Sequence, residues 1–573
     1  MTVPGSTLTA GPQGLAWLER ILGDDEDAVA GGRVAVLAAD GSALSRTQLA
    51  ARVGGLAEAL WHRGVRAGDR VAIALDRSPE LIVGMLASLA VGAAYVVIDP
   101  RYPEQRRRFM LADSAPAVVL APGDGPDVLA PADWPATGAV PPLAPPAERL
   151  AYLAYTSGTT GTPKGVAVTF GALSAYLDWC LATLPCTGDG VPLFASAAFD
   201  HAVTCIYPPL VRGEPLKLLP EVGSGEALGR ELLVRAPYSY VKATPSHLRF
   251  LDAAERARLG TGAGLIMLGG EAADAATIRA LRTDAPALRV LNHYGPTEAT
   301  VGCVCFEVPS GWEEDPVPIG EPMAHVTARI EDGELWVGGR CLAAGYWTDG
   351  VPRQEGGFVT DRDGVRWYRT GDRVERAGDA GLVFAGRGDR QVKRLGHRID
   401  LSEVEAALST VPSIASAVAL QPVRGGALAA VVTPSHGPGE AELRAAVGAQ
   451  LVAAAVPARI VRAAALPFDA HGKLDRPAVE ALLAAAVAAA APPPGEVGVV
   501  ERLAGLWKGA LAIDDVREDD DFFDLGGDSL AAVEVVEGVA EELGLEVELS
   551  LLFTCPTFGA FARSVAALAA EPR

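Results

Sequence analysis

Ten consecutive residues, Thr156-Ser-Gly-Thr-Thr-Gly-Thr-Pro-Lys-Gly165, combine hydroxyls, glycines and one lysine. Glycine lets backbone N–H groups come close to phosphate oxygens, the hydroxyls donate as well, and an ammonium adds charge. Thr156, Ser157, Gly158, Thr159, Thr160 and Gly161 are therefore candidate phosphate-binding residues, with Lys164 as a candidate catalytic cation. The spacing is not GxxxxGK[ST], so this is no Walker loop. Only six lysines occur (Lys164, Lys217, Lys242, Lys393, Lys473 and Lys508) among 49 basic residues. Where arginine supplies ordinary surface charge, a lysine reads as a chemical choice. A second text, Asp521-Phe-Phe-Asp-Leu-Gly-Gly-Asp-Ser529, ends on a serine at the start of the helical pattern 530–543. A serine there is either an N-cap or an exposed attachment point, and a phosphodiester on it would gain from the helix dipole.

These residues need elements to hold them. Up to about residue 380, short apolar or β-branched runs (34–37, 71–75, 95–98, 117–120) alternate with helical stretches (47–63, 80–90). That alternation predicts βαβ units and largely parallel sheets. Residues 121–146 read as a loop. A smaller α+β segment follows from about 386 to 490, then the Pro-rich linker 491–495. Residues 496–573 carry 17 acidic and 5 basic side chains, with leucine, valine and tryptophan at helical spacing. They predict a small acidic helical bundle. The expected organisation is a large domain over 1–388, a small mobile one over 389–490, a linker over 491–495 and a carrier over 496–573.

The chain has 573 residues, 49% hydrophobic and 21% charged, with a net charge of −22. That is globular and multidomain, and too acidic for a nucleic-acid coat or an anionic membrane surface. The longest apolar run, 481–491, is too short to span a bilayer. Seven cysteines without a CxxC, and an N-terminus without a basic start and apolar core, lead to the expectation of a reducing cytoplasm, no disulfide frame and no zinc site.

The chain resembles the adenylation domains of nonribosomal peptide synthetases, in the adenylate-forming superfamily, fused to a peptidyl carrier protein. The resemblance rests on Leu89-Ala-Val-Gly-Ala-Ala-Tyr95 with Asp99-Pro100, the 156–165 loop, Phe199-Asp200 and Tyr294-Gly-Pro-Thr-Glu298. It continues through Gly345-Tyr346, Tyr368-Arg-Thr-Gly-Asp372, Gly386 to Lys393, and His471-Gly-Lys473. Two departures stand out: His471 replaces the usual Asn, and residues 451–457 are Ala-rich. The resemblance implies an α/β large domain, a mobile α+β domain and a helical carrier. It implies ATP and Mg²⁺, with a carboxylate attacking the α-phosphate, pyrophosphate leaving, and catalysis by positioning and charge neutralisation. It implies that Tyr294 stacks on adenine, Asp372 accepts from the ribose, Arg387 helps hold the nucleotide and Glu298 ligates Mg²⁺. Lys473 would bridge the substrate carboxylate and the α-phosphate, a role suited to a flexible point charge. Asp389 would be the hinge. Ser529 would take 4′-phosphopantetheine from a phosphopantetheinyl transferase.

The resemblance also locates an amino-acid pocket: Asp200 for the α-ammonium, then His201, Thr204, Lys242, Met267, Gly269, His293, Val301 and Gly302. Lys242 lies in the otherwise apolar stretch 238–245. If it points inward, its ammonium needs an anion, a partner or a lowered pKa. With Asp200 and Lys473 taken by the backbone of the amino acid, what remains for Lys242 and His293 is an anionic side chain. Aspartate is therefore the expected substrate, and the glycines leave room for a β-substituent. For His201, packing and substrate contact stand equal. The expected product is a loaded carrier met by other enzymes; an MbtH-like helper is a family-level option only. Two rivals remain: an acyl-CoA ligase releasing a free thioester, and an inactive scaffold presenting the carrier.

Overall fold

A computed structural model describes residues 16–23, 32–125, 127–138, 145–157, 163–221, 225–249, 251–388, 390–394, 397–421, 428–467, 474–490, 499–511, 516–518, 520, 522, 529–545, 547–548 and 550–570. Gly158, Thr159, Thr160, Gly161, Asp389 and Lys473 lie outside the described residues.

The largest sheet has eight strands. Its parallel part runs Leu150–Thr156, Ala94–Val97, Arg70–Ile73, Val118–Leu120 and Val128–Leu129. Lys164–Thr169 adds antiparallel to Leu150–Thr156, followed by Gly345–Thr348 and Val351–Arg353. The sheet is thus mixed, not largely parallel as the alternating pattern predicts. The loop after Thr156 turns the chain straight back, which only an antiparallel pair allows. A second sheet orders Val241–Ala243, Leu265–Gly269 and Arg289–Tyr294 in parallel, with Val304–Val308 antiparallel at its side. The stretch read as a loop at 121–146 contains the short strand Val128–Leu129 and a turn at Pro131–Asp133.

Helices begin where sequence chemistry allows. Ser45 caps Arg46–His62 in a reciprocal box with Gln48, and Ser78 caps Pro79–Ala90, whose first residue is proline. Asp200 occupies the cap position of His201–Arg212 but makes no side-chain cap bond, which leaves its carboxylate for other work. The 399–460 region has its own core around Val404, Leu408, Ala430, Val432 and Val447. The helices Val499–Leu511, Ser529–Leu543, Ser550–Thr554 and Phe558–Ala570 close over another, centred on Trp507 with Phe522, Phe558 and Phe561. No described helix is long and apolar enough to cross a membrane.

Candidate functional site

A cavity of about 100 Å³ lies between the large sheets and the segment beyond residue 389. Asp200, His201, Lys242, His293 and Val301 line it from one side; Thr156 and Ser157 reach it from the end of Leu150–Thr156; His397, Arg398 and Ile399 close it from the other.

Lys242 sits mid-strand in Val241–Ala243 and is 2% exposed, so the register turns it inward. Its Nζ donates to Thr204 Oγ1 at 2.6 Å, the one hydrogen-bond partner it has among the described residues. Burial pushes its pKa down, while Cys205 and Asp200 pull it back up. Asp200 shows the mirror image: burial pushes its pKa up, and Thr297 and Lys242 only partly offset that. Each is a buried charge with less compensation than a closed interior demands. His201 is partly buried, its Nε2 3.5 Å from the Lys242 carbonyl, and burial followed by Lys242 holds it well below its ordinary pKa. It lines the cavity.

His293 is held neutral by burial, with Lys242 and His201 adding to the effect. Its Nε2 lies 3.2 Å from the Tyr176 hydroxyl. The expectation that Gly302 leaves room for substrate needs correction: a Cβ there would run into His293 Nε2 and Cε1, so the space belongs to the imidazole. Gly269, opposite His293 in the neighbouring strand, similarly admits the His293 carbonyl and ring. Met267 pairs with Lys242 between strands and packs in the core. The turn beside the pocket is strained. Thr300 and Val301, both β-branched, have φ of 53° and 71°, and Gly302 N–H closes back on the Thr300 carbonyl at 2.8 Å. The Thr300 hydroxyl, donating to the Cys341 carbonyl at 2.7 Å, helps hold it. Such strain persists only where surrounding contacts over-determine it, and it fixes where Val301 meets the cavity.

The other half of the site is crowded with its own partners. Glu298, 1% exposed, accepts Arg398 Nη1 at 2.8 and 3.1 Å on its two oxygens and Tyr346 OH at 2.6 Å. Burial alone would raise its pKa, but Arg398 and Tyr346 outweigh that and keep it ionised. Asp372 accepts from Tyr294 OH on one oxygen and Arg387 on the other. Lys393 Nζ stands 5.4 Å from the centroid of the Tyr294 ring, and Arg387 also reaches Gln391. Ser157 Oγ donates to the Arg398 carbonyl, and His397 meets Phe199 edge-on at 4.6 Å. The hairpin of Gln391–Arg394 and His397–Asp400 is therefore inserted against the face where Tyr294, Glu298 and Asp372 converge. Lys164 lies 5.5 Å from the Tyr346 ring centroid, beside the same face. Ser529 opens the helix Ser529–Leu543 of the carrier bundle.

Sequence reasoning missed Arg398, His397 and Tyr176. Arg398 and His397 follow directly on the quoted 386–393 motif, and an Arg in an acidic site was the available signal. Tyr176 carries no motif at all.

Residues 24–347 match the AMP-binding enzyme family, 403–473 the AMP-binding enzyme C-terminal domain, and 501–565 the phosphopantetheine attachment site. The chain belongs to the AMP-binding enzyme family. It is an adenylate-forming ligase of the nonribosomal peptide synthetase type, with a C-terminal carrier domain. It is 33% identical over 560 residues to tyrocidine synthase 3 of Brevibacillus parabrevis, and 31% over 538 residues to bacitracin synthase 3 of Bacillus licheniformis. These alignments cover 92% and 88% of the chain but 8% of each relative's length. Among solved structures it is similar to holo-PA1221, an NRPS protein containing adenylation and PCP domains bound to a vinylsulfonamide inhibitor (26% identity, TM-score 0.73, 96% of both chains). It is also similar to a malonyl-CoA ligase with methylmalonyl-CoA and AMP bound (26%, TM-score 0.66, 78% of this chain and 99% of that one).

The two families bring ATP and Mg²⁺ to the ligase domain and 4′-phosphopantetheine to the carrier. Among the described residues no group of three or more His, Cys, Asp or Glu gathers to hold a metal. Mg²⁺ needs no such cluster, being commonly held by one or two carboxylates together with substrate phosphates. Glu298, ionised and paired with Arg398, would be the carboxylate for it.

Proposed function

We propose that the protein activates L-aspartate, or a close β-substituted analogue, as the aminoacyl-AMP and loads it onto its own carrier. The observation that carries this is a cavity holding Asp200, Lys242 and His293 together, with the Lys242 ammonium bonded, among the described residues, to a single hydroxyl. Asp200 would take the α-ammonium. The carboxylate of the side chain would fill the vacancy in front of Lys242 and accept charge-assisted bonds. Thr204, Met267, Gly269 and Gly302 shape the wall behind, and His201 and Val301 its mouth. Within the nucleotide half, Tyr294 would stack on adenine, Asp372 accept from the ribose, and Arg387 steady the nucleotide. Glu298 would hold Mg²⁺, which neutralises phosphate charge when bound. Thr156 to Gly161 and Lys164 would cradle the leaving pyrophosphate, while Lys473 bridges carboxylate and α-phosphate. Ser529 would bear the pantetheine arm, whose thiol receives the acyl group. The domain boundaries would fall at 388, 490 and 495, with the hinge at Asp389; separate cores around Val404 and around Trp507 support such a division. A phosphopantetheinyl transferase and downstream enzymes acting on the loaded carrier complete the set; an MbtH-like helper has no residue arguing for it.

The test is ATP–pyrophosphate exchange over an amino-acid panel, with the mass of the loaded carrier read alongside. Aspartate-dependent exchange and a matching mass gain on the carrier are expected. Exchange dependent on an apolar amino acid would withdraw the substrate, and a soluble CoA thioester would favour the acyl-CoA ligase reading that the malonyl-CoA ligase similarity keeps open.

A further inference from the structure

Arg106 belongs to the helix Glu104–Ser114, lines the cavity and is 9% exposed. Its Nε is buried without an acceptor, and none of its N–H groups has a hydrogen-bond or ion-pair partner among the described residues. The Tyr102 ring lies 5.4 Å from its guanidinium carbon and offers a face, not an acceptor. The acid of the same segment, Asp99, is taken by Arg101 and Ser196. Two other arginines of the site are used by the protein itself, Arg398 by Glu298 and Arg387 by Asp372. A guanidinium carries five donors in a planar fork, and leaving them unmet in an enclosed place is costly.

The neighbours of Arg106 say what kind of acceptor fits. Burial and then the Arg106 charge hold the His397 pKa down at about 4, so the imidazole beside the guanidinium is neutral. His397 meets Phe199 edge-on at 4.6 Å, and Phe199 immediately precedes Asp200. The lining can therefore be followed, neighbour by neighbour, from Asp200 through Phe199 and His397 to Arg106. Leu451, Val452 and Ala455, from the Ala-rich stretch that departs from the family pattern, line the same cavity and add no charge.

We infer that Arg106 is a binding residue for the arm of the carrier and donates to an amide carbonyl oxygen of that arm. The inference rests on the loading of the carrier and not on which amino acid is activated. The 4′-phosphopantetheine group supplies a thiol and, a few bonds behind it, amide carbonyl oxygens. With the aminoacyl group held at Asp200 and the nucleotide at Tyr294 and Asp372, the wall through Phe199 and His397 is left for the thiol. Arg106 comes next along that wall, where the carbonyl oxygens follow the sulfur. Its fork can meet such an oxygen with two N–H groups, while the neutral His397 and the short apolar side chains leave room for methylenes. His397 reaches this wall on the hairpin of Gln391–Arg394 and His397–Asp400, so large domain and hairpin form the slot together.

The test first uses a Ser529→Ala chain, which carries no arm, with a non-hydrolysable acyl-adenylate analogue bound. Ligand-observed NMR reads its affinity for two free probes: pantetheine, and butanethiol, which has the thiol but no amide. Adding Arg106→Met should weaken pantetheine roughly tenfold and leave butanethiol within about twofold. Arg106→Lys, a point charge without the fork, should recover part of the pantetheine affinity. In the full chain with its arm, Arg106→Met should slow single-turnover transfer from preformed aminoacyl-AMP by several times more than it slows pyrophosphate exchange. Equal weakening of both probes overturns the inference, because the guanidinium would then act on sulfur or on the wall itself. Unchanged pantetheine affinity overturns it too. So does a loss of exchange as large as the loss of transfer, which would place Arg106 with the nucleotide or the fold. If the full chain loads nothing, the carrier-loading reading fails on its own, and the two probe affinities still decide the role of Arg106.

Discussion

The two halves of the site treat buried charge in opposite ways. On the nucleotide face every described acid is saturated by the protein itself: Glu298 by Arg398 and Tyr346, Asp372 by Tyr294 and Arg387. In the amino-acid pocket Lys242 has one hydroxyl, and burial pushes Lys242 and Asp200 toward neutrality. A buried charge left this bare is costly unless something else arrives. The difference separates two kinds of burial: a pair of charges with little compensation, and a set of acids paired by the protein itself, with Lys393 and Arg398 near them contributed by one hairpin.

The largest expected effect breaks the comparison at its output. Ser529→Ala should abolish covalent loading, read by mass, and leave aspartate-dependent pyrophosphate exchange intact, because the serine belongs to the carrier bundle and the cavity to the ligase domain. Loss of exchange in a folded protein would sink the two-site division. Next, Lys473→Ala should lower pyrophosphate exchange by a factor on the order of 10²–10³, the usual cost of a lost transition-state charge contact. Transfer from preformed aminoacyl-AMP to the carrier should fall far less. Equal losses in both half-reactions would contradict a Lys473 that serves adenylation alone.

The same contrast explains what the sequence made legible. The inward turn of Lys242 was legible because a lysine in an apolar strand is an anomaly of composition, and Val241–Ala243 needed only its register to resolve it; the rest of the pocket set came from the family resemblance. The βαβ alternation was readable from period and turn residues. The antiparallel return through Lys164–Thr169 was not, because alternation of strand and helix is silent about a strand-to-strand turn. Arg398 over Glu298 joins residues a hundred positions apart, and the Tyr176 hydroxyl meets His293 over a similar separation. Such pairs exist only after folding. The γ-turn strain at Thr300 and Val301 was equally hidden, since β-branched residues are the last that propensity would put at positive φ.

Within the pocket, Lys242→Met should lower kcat/KM for aspartate by at least about thirtyfold, since removing one partner of a buried charge pair costs some 2–5 kcal/mol. Asparagine should gain nothing, because the change removes a counter-charge without adding an acceptor. His293→Glu should act differently, narrowing or reversing the aspartate preference: the new carboxylate repels one ligand and accepts from the amide of the other. Measuring both amino acids with all three proteins separates charge from complementarity. If His293→Glu leaves the ratio unchanged, the pocket assignment fails.

The smallest expected effect on adenylation tests the saturated half. Arg398 gives Glu298 the positive charge that Mg²⁺ would otherwise supply, so in this arrangement arginine and metal compete for one carboxylate. Arg398→Ala removes the competitor. Pyrophosphate exchange should then keep its rate within about twofold and reach half-maximum at a lower Mg²⁺ concentration, since no guanidinium must be displaced first. Transfer from preformed aminoacyl-AMP should move the other way and fall on the order of tenfold, equivalent to about 1.4 kcal/mol, because the hairpin loses its ion pair with Glu298. Arg398→Lys, a point charge in place of a fork, should restore only part of that loss. The opposed directions are the informative feature. A variant that merely loosens the fold would depress both half-reactions together, whereas a residue that belongs to one pose of the hairpin must favour the other pose when it is removed.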